Sequence, residues 1–197
     1  MTSSGSRRSA LKIGIVVSGL PASGKTQIGR QLARALDYAF LDKDDFLEDL
    51  YDQSLVASLD DRNRLSRQSD HLFREKAIQL GSAVLVSRWC PPDAHDQSGT
   101  PSDWVAQEYD AVVEVCCLCK PDEACRRFSS RKRHPGHLDD KRDAKELARR
   151  MVSWSGRYPL GVGALVALRT DKPTDPGVLL QDVRSKISQI RRQLSDG

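Results

Sequence analysis

Hydrophobic and polar positions alternate between two patterns along the chain, short apolar runs and helical spacing, and their order predicts strands separated by helices. β-branched residues dominate positions 12–18, which indicates a buried first strand. After it, Ile28, Leu32 and Leu36 recur at helical spacing. Four further apolar runs predict strands at residues 39–41, 83–86, 111–119 and 164–168. The sequence therefore predicts an α/β fold whose five-stranded parallel sheet is covered by helices on both faces.

Helical periodicity fills the intervals between these strands. Apolar residues three or four positions apart predict helices through Leu65, Leu72, Phe73, Ala77 and Leu80, through Leu147, Met151 and Trp154, and through Leu179, Val183, Ile187, Ile190 and Leu194. Pro121 and Asp122 begin another helix after the fourth strand. No repeat or linker interrupts the pattern. We expect a polar, disordered tail over residues 1–10 and a single domain over residues 11–197.

Composition narrows the class of protein. The chain has 197 residues, of which 39% are hydrophobic and 29% charged, and its mean hydropathy is −0.51. These values are typical of a soluble globular domain and argue against a membrane protein or a disordered one. The net charge of +4 suits anionic ligands without requiring nucleic acid. We expect a monomer or a homodimer.

Cysteines indicate a reducing, cytoplasmic environment. Their number is odd and their positions are clustered, which makes a poor disulfide framework. Cys116, Cys117 and Cys119 could be zinc ligands, but they lie in a predicted strand, where successive side chains point to opposite faces. Buried packing is therefore the favoured interpretation of these thiols.

The N-terminus resembles a twin-arginine export signal, because Arg7 and Arg8 precede an apolar run. Cleavage after that run would cut a phosphate-binding loop. We therefore favour a buried first strand at this place over an export signal.

That loop is the strongest motif in the chain. Residues 19–26 are Gly19-Leu20-Pro21-Ala22-Ser23-Gly24-Lys25-Thr26, which match G-x-x-x-x-G-K-[ST] between a predicted strand and a predicted helix. Glycines let backbone N–H groups point at phosphate oxygens, and the helix adds its positive end. Lys25 would reach the outer phosphates, and Thr26 would ligate Mg²⁺. We assign these eight residues and Gln27 to ATP binding.

Carboxylates follow the second strand, at an edge of the sheet where ligands bind. The stretch is Asp42-Lys43-Asp44-Asp45-Phe46-Leu47-Glu48. One carboxylate there could hold Mg²⁺, and another could accept the proton of a substrate hydroxyl. The competing interpretation is a solvated acidic helix start, which suits Asp45 and Glu48 better than Asp42 and Asp44. Residues 170–173 lack the N-K-x-D order of a guanine site, so a small-molecule kinase is favoured over a GTPase.

Together, the phosphate loop and the D-x-D-D-F stretch resemble the small P-loop kinases: shikimate kinase, gluconate kinase, chloramphenicol phosphotransferase, zeta-toxin-like kinases and the kinase module of polynucleotide kinases. The resemblance covers most of the chain. It implies a P-loop NTPase three-layer sandwich with a lid segment, with Asp44 as catalytic base and Asp42 in the Mg²⁺ shell. The substrate-binding arginines and glycines of shikimate kinase are not evident in the sequence. Leu47 stands where polynucleotide kinases usually carry a basic residue.

A basic segment after the fourth strand predicts the lid, at about residues 128–138. Guanidinium groups there would neutralise charge on the transferring phosphoryl group. The resemblance places Arg127 against the adenine ring and Arg131 or Arg133 on the phosphates, as catalytic residues beside Lys25. His134 and His137 could contact substrate. The alternatives are a nucleic-acid patch or simply solvated charge.

The third predicted strand is followed by Ser87-Arg88-Trp89 rather than by the usual aspartate. Arg88 and Trp89 therefore become candidates for substrate contact, with ordinary packing as the alternative for the tryptophan. Taken together, the sequence predicts ATP- and Mg²⁺-dependent phosphoryl transfer to a hydroxyl of a small molecule such as a sugar, a nucleoside or an antibiotic. The alternatives are a polynucleotide 5′-hydroxyl kinase and an ATP-binding module without transfer activity.

Overall fold

A computed structural model describes residues 11–91 and 98–195 of the chain. Its strands are β1 (Ile13–Gly19), β2 (Ala39–Asp42), β3 (Ala83–Val86), β4 (Trp89–Cys90), β5 (Thr100–Pro101), β6 (Ala111–Leu118) and β7 (Ala164–Arg169). Its helices are α1 (Lys25–Leu36), α2 (Lys43–Asp52), α3 (Leu59–Gln79), α4 (Val105–Glu108), α5 (Pro121–Ser130), α6 (Ala144–Ser155) and α7 (Pro176–Ser195). The predicted tail over residues 1–10 lies outside the described residues.

The main sheet has five parallel strands in the order β2-β3-β1-β6-β7, which confirms the predicted fold class. Its register aligns the carboxyl ends of the central strands, because Asp42 lies opposite Val86 and Gly19 lies opposite Cys117. The phosphate loop, the acidic stretch and the end of β3 therefore meet at one edge of the sheet.

Apolar cores cover both faces of this sheet. Every residue of β1 is buried, as expected for a central parallel strand. On one face, α1 and α7 contribute residues such as Leu32 and Val183 to the core. On the other, Phe73 of α3 packs with Trp89 and Trp104. These two layers of helices hold the strand ends in fixed positions.

The acidic stretch begins a helix, as its competing interpretation expected, although the capping residue is Asp42; a second, small sheet was not predicted. Helix α2 begins directly after β2, and the carboxylate of Asp42 caps it by accepting a hydrogen bond from the backbone N–H of Asp44. Strands β4 and β5 form a second, two-stranded parallel sheet beyond β3. Strands of two residues are too short to show a periodicity in the sequence. Among the described residues, the helices are all too short or too polar to cross a bilayer.

Candidate active site

The phosphate loop has the backbone shape that its glycines predict. Gly19 and Gly24 have φ values of 131° and 92°, in the left-handed region. A Cβ atom on Gly19 would stand 2.5 Å from the carbonyl oxygen of Cys117. The Oγ atom of Ser23 is buried with no hydrogen-bond partner among the described residues. A buried hydroxyl of this kind fits the presence of a phosphate oxygen beside it.

Lys25 folds back over the loop. Its Nζ atom donates to the carbonyl oxygens of Gly19, at 3.1 Å, and Leu20, at 2.7 Å. Burial lowers the pKa of Lys25 to about 8. Two buried carbonyl oxygens thus hold the ammonium at the mouth of the loop, where an incoming phosphate can take over the interaction.

A separate cavity of about 480 Å³ lies on the other side of the loop. Ala22, Gln27 and Arg127 line it together with Pro173 of the segment after β7. Arg127 is fixed by Glu123, whose Oε1 atom accepts from its Nε at 2.7 Å, and by the carbonyl oxygen of Thr170 at 2.9 Å. The cavity is the right size and in the right place for a nucleobase. The structure thus brings Gln27 and Arg127 together as predicted for nucleotide binding, a role that stays a prediction.

Thr26 and Asp42 form a pair suited to magnesium. The hydroxyl of Thr26 donates to Oδ2 of Asp42 at 2.6 Å. Burial, with Asp44 nearby, raises the pKa of Asp42 to about 6. Hard oxygen ligands beside a phosphate loop are what Mg²⁺ prefers, and a divalent cation would offset the cost of the buried charge. The residues present therefore fit Mg²⁺.

Asp44 opens into a larger cleft of about 810 Å³, which the lid segment covers. Its side chain is half-exposed and forms an ion pair with Arg133. Burial opposes the charge of Asp44, but the positive charges of Arg133, Lys43 and Lys25 outweigh that effect, so the pKa of Asp44 lies below its ordinary value. Asp44 is therefore a carboxylate at neutral pH.

Arg131 and Arg133 line the same cleft, and Asp139 holds them there. Its Oδ2 atom lies 3.8 Å from Arg131 and 3.5 Å from Arg133. Burial and the neighbouring Arg133 lower the pKa of Arg131 to about 10, and its Nε atom is buried with no hydrogen-bond partner in the part of the chain that the structure describes. Both guanidinium groups thus face the region beside Lys25 and Asp44, where transferred phosphate would lie.

The two histidines are not among the residues that line the cleft, so the geometry gives no support to substrate contact by them, which stays a prediction. His137 is 1% exposed, and its Nε2 atom lies 2.8 Å from Oε1 of Glu48. His134 lies 3.1 Å from Asp52 and stacks on the ring of Tyr51 at 5.4 Å. Burial and nearby arginines lower the pKa of His137 to about 3, so it is neutral. The histidines instead fasten the end of the lid segment to α2.

Trp89 does not contact the cleft either. It is fully buried among Phe73 and Trp104, and its Nε1 atom donates to the carbonyl oxygen of Val17 at 3.1 Å. The prediction of a substrate contact is therefore wrong, and ordinary packing is correct. Arg88, the preceding residue, does line the cleft, where substrate contact was predicted for it.

Sequence reasoning found Arg88 but missed two other arginines that line the cleft with it. Arg62 of α3, Arg88 and Arg150 of α6 line the cleft, and none of the three forms an ion pair with a described carboxylate. Burial lowers the pKa of Arg88, and Arg62, Arg150 and Arg157 lower it further. Two of these guanidinium groups also make cation–π contacts: those of Arg88 and Arg150 lie 4.7 and 4.8 Å from the centre of the Trp154 ring. We call Arg62, Arg88 and Arg150 the arginine cluster.

Residues 15–152 match the protein family described as AAA domain, across the phosphate loop, the acidic stretch and the lid. The chain belongs to this family. The shared part begins in β1 and ends within α6, so it includes every element that carries Lys25, Asp44 and the arginine cluster.

Curated relatives of this AAA domain protein match it over a shorter stretch. A shikimate kinase of Clostridium botulinum strain Langeland is 32% identical over 66 residues, which cover 34% of this chain and 35% of that protein. A protein of Xenopus tropicalis named "Probable gluconokinase" is 39% identical over 78 residues, covering 37% of this chain and 40% of that protein. The matched stretch is thus well under half the length of these relatives.

Solved structures resemble the AAA domain protein over nearly its whole length. A protein of Chloroflexus aurantiacus J-10-fl aligns with a TM-score of 0.72 at 23% identity, covering 89% of this chain and 98% of the other. A shikimate kinase of Bacteroides thetaiotaomicron aligns with a TM-score of 0.60 at 18% identity, with the same coverage. These likenesses show that the fold is that of the P-loop kinases, as the sequence resemblance implied.

Proposed function

We propose that this AAA domain protein transfers the γ-phosphoryl group of ATP to a hydroxyl of a small, negatively charged molecule. The observation that carries the proposal is the continuity of the cleft. Lys25, Thr26 and Asp44 line the same cleft as the arginine cluster, and we call these two sets of residues its nucleotide end and its acceptor end. Relatives named shikimate kinase and gluconokinase support the reaction class.

Asp44 would orient the attacking hydroxyl. The hydroxyl oxygen attacks the γ-phosphorus, the bond to the bridging oxygen of ADP breaks, and the hydroxyl proton passes to a carboxylate oxygen of Asp44. A carboxylate with a lowered pKa is a weak base. Phosphoryl transfer passes through a loose transition state in which the nucleophile is still poorly bonded, so orientation of the hydroxyl matters more than basicity.

Positive charge around Asp44 would stabilise the transition state. Lys25, Arg131 and Arg133 surround the region where charge spreads over the transferring group, and fixed charges there stabilise the transition state without reorganisation. Arg133 pairs with Asp44 in this structure, so substrate entry would exchange that partner for a phosphate oxygen. When bound with ATP, Mg²⁺ on Thr26 and Asp42 would neutralise further phosphate charge.

The arginine cluster, which forms no ion pair with a carboxylate of the described residues, supports an anionic acceptor. Half-buried guanidinium groups that face one another repel, and burial costs them hydration. A carboxylate or phosphate on the acceptor would relieve both costs, and planar guanidiniums bind such groups with two hydrogen bonds. A neutral acceptor would leave the arginine cluster without a counter-ion.

A paired acceptor screen tests the proposal. ADP release from ATP–Mg²⁺ would be measured with hydroxy acids and sugar phosphates, each beside its uncharged amide or dephosphorylated analogue. We expect stimulation by one of the charged compounds and much weaker stimulation by its neutral partner. An oligonucleotide with a 5′-hydroxyl is included in the same series. Stimulation by the oligonucleotide alone, or ATP binding with no stimulation by any acceptor, would contradict the proposal.

A further inference from the structure

A buried carboxylate lies in β6, away from the machinery described above. Glu114 is 0% exposed, although its neighbours along the strand are apolar. Its Oε1 atom accepts from the hydroxyl of Ser18 at 2.5 Å and from the backbone N–H of Leu160 at 2.7 Å. Its Oε2 atom accepts from the backbone N–H of Gly161 at 2.9 Å. A buried carboxylate is costly and persists only where its oxygens are hydrogen-bonded.

The backbone donors belong to residues 156–163, the α6–β7 loop. Two other side chains of this loop reach the wall of the acceptor end. Arg157 Nη1 donates to the carbonyl oxygen of Ser98 at 3.3 Å, and the hydroxyl of Tyr158 donates to the carbonyl oxygen of Trp89 at 3.2 Å. The same Ser98 carbonyl accepts from Arg88 Nη1 at 3.1 Å. The loop thus contacts Trp89, which follows Arg88 in the chain, and Ser98, to which Arg88 itself donates.

Glu114 is therefore the fixed point of a continuous set of hydrogen bonds. On one side it is bonded to Ser18, which directly precedes the phosphate loop in β1. On the other it holds the α6–β7 loop, which contacts the residues around Arg88. The packing of the strand alone does not require a charged group here, because Val112 and Cys116, which share its face of β6, are a buried apolar side chain and a buried thiol.

We propose that Glu114 is a positioning residue for the acceptor. It fixes the α6–β7 loop against the strand that carries the phosphate loop, and so sets where Arg88 stands relative to the phosphates. The inference rests on the proposed function, because that function assigns an anionic acceptor to the arginine cluster. Glu114 itself touches neither nucleotide nor acceptor.

Glu114→Gln is the sharpest variant, because it keeps the shape of the side chain. One of its two terminal atoms becomes an N–H donor, which faces a backbone N–H of Leu160 or Gly161 and cannot accept from it. The loop should therefore detach at that point. Glu108→Gln is the matched control: Glu108 pairs with Arg74 on the surface at α4, away from the cleft. Glu114→Asp keeps two accepting oxygens and should restore part of the effect.

The probe is inorganic phosphate, titrated into each variant saturated with ADP–Mg²⁺ so that the phosphate loop is occupied. Binding is followed by the fluorescence of the tryptophans, since Trp154 lies against Arg88 and Arg150. We expect about tenfold weaker phosphate binding in Glu114→Gln, and ADP affinity within about twofold of the parent. Equal losses of both affinities, or no loss of either, would show a merely structural role and overturn the proposal.

Two further measurements keep the inference testable on its own. Hydrogen exchange at the amides of Leu160, Gly161 and Ser98 should accelerate in Glu114→Gln, whether or not phosphate binds; unchanged exchange would overturn the proposal. If that variant does not fold, Tyr158→Phe breaks the loop's bond to Trp89 and should weaken phosphate binding about threefold. A parent that binds phosphate but phosphorylates no acceptor would contradict the proposed function while leaving the positioning role intact.

Discussion

The two ends of the cleft are built in different ways. The nucleotide end uses residues 19–27 and 42–44, which are close in sequence and held by backbone shape, a helix start and the sheet edge. The acceptor end gathers Arg62, Arg88 and Arg150 from three elements that are far apart in the chain. At the first end, polar groups find partners within the protein, as where the hydroxyl of Thr26 donates to Asp42. At the second, the three arginines form no ion pair with a carboxylate of residues 11–91 or 98–195, and we propose that a ligand supplies the counter-charge.

This difference has a chemical consequence. A phosphate loop binds the part of ATP that every nucleotide kinase shares, so its residues can be fixed by local geometry. An acceptor site must distinguish one small molecule from others, and specificity comes from polar groups that are costly to leave unpaired. Changes at the nucleotide end should therefore abolish the reaction, and changes at the acceptor end should alter which molecule is used.

The largest effect is expected for Lys25→Ala. Loss of this buried ammonium should reduce phosphoryl transfer on the order of 10²-fold or more, because it removes charge stabilisation of the transferring group. The measurement is turnover together with circular dichroism, to show that the fold is kept. Lys76→Ala, at an exposed position of α3, is the control and should behave as the parent. A well-folded Lys25→Ala protein with normal turnover would contradict the nucleotide assignment.

A change in the arginine cluster should be smaller and confined to the acceptor. Arg150→Gln should raise the KM of a charged acceptor on the order of 10- to 100-fold, since it removes a charge-assisted hydrogen bond. The KM of ATP should stay nearly constant. Arg149→Gln is the matched control, because Arg149 is exposed and pairs with Glu146. Equal changes in the two KM values of Arg150→Gln would argue that the cleft does not divide into two ends.

The affinity for ATP–Mg²⁺ should depend on pH through Asp42. Because its pKa is raised to about 6, Asp42 gains a proton as the pH falls through 6, and the neutral form holds a cation poorly. At pH 5 we expect affinity about tenfold below its value at pH 7.5, in proportion to the ionised fraction. The affinity of Asp42→Asn should be low and nearly independent of pH in this range. A pH-independent affinity in the parent would rule out Asp42 as the metal-binding carboxylate.

The smallest effect should be seen in the lid segment, residues 128–138. Its guanidinium groups repel one another until phosphates arrive, so ATP–Mg²⁺ should slow hydrogen exchange there. Protection at residues 131–133 should rise more than at Gly136 and His137, which already pack against Tyr51. Unchanged protection throughout would argue against a lid.

Sequence alone predicted the fold and one end of the cleft well. Residues 19–26 are recognisable because the backbone shape of the loop requires their glycines. The apolar runs predicted all five strands of the main sheet within two residues of their observed ends. Asp42 and Asp44 were found because a strand edge beside the phosphate loop is where ligands bind.

The acceptor end could not be predicted, because its residues meet only in three dimensions. Arg62 and Arg150 lie on helices rich in charge, where one arginine that faces the cleft looks like any other on the surface. Trp89 and His137 were assigned to the cleft because of their neighbours in sequence. Trp89, however, lies on the core side of β4, and His137 is buried against Tyr51 and Glu48 of α2. A tight pairing of Glu114 with a distant loop gave no local signal at all.

The account's central claim is tested most directly by comparing Asp44→Asn with Asp42→Asn over a range of Mg²⁺ concentrations, with nucleotide affinity and turnover measured for both. We predict that Asp44→Asn binds ATP–Mg²⁺ as the parent does but loses transfer on the order of 10²-fold or more at every Mg²⁺ concentration, since an amide cannot take the hydroxyl proton. Asp42→Asn should instead need more Mg²⁺ and recover as it is supplied. Rescue of Asp44→Asn by Mg²⁺ would reverse the two roles, and parent-like turnover in both variants would contradict the account.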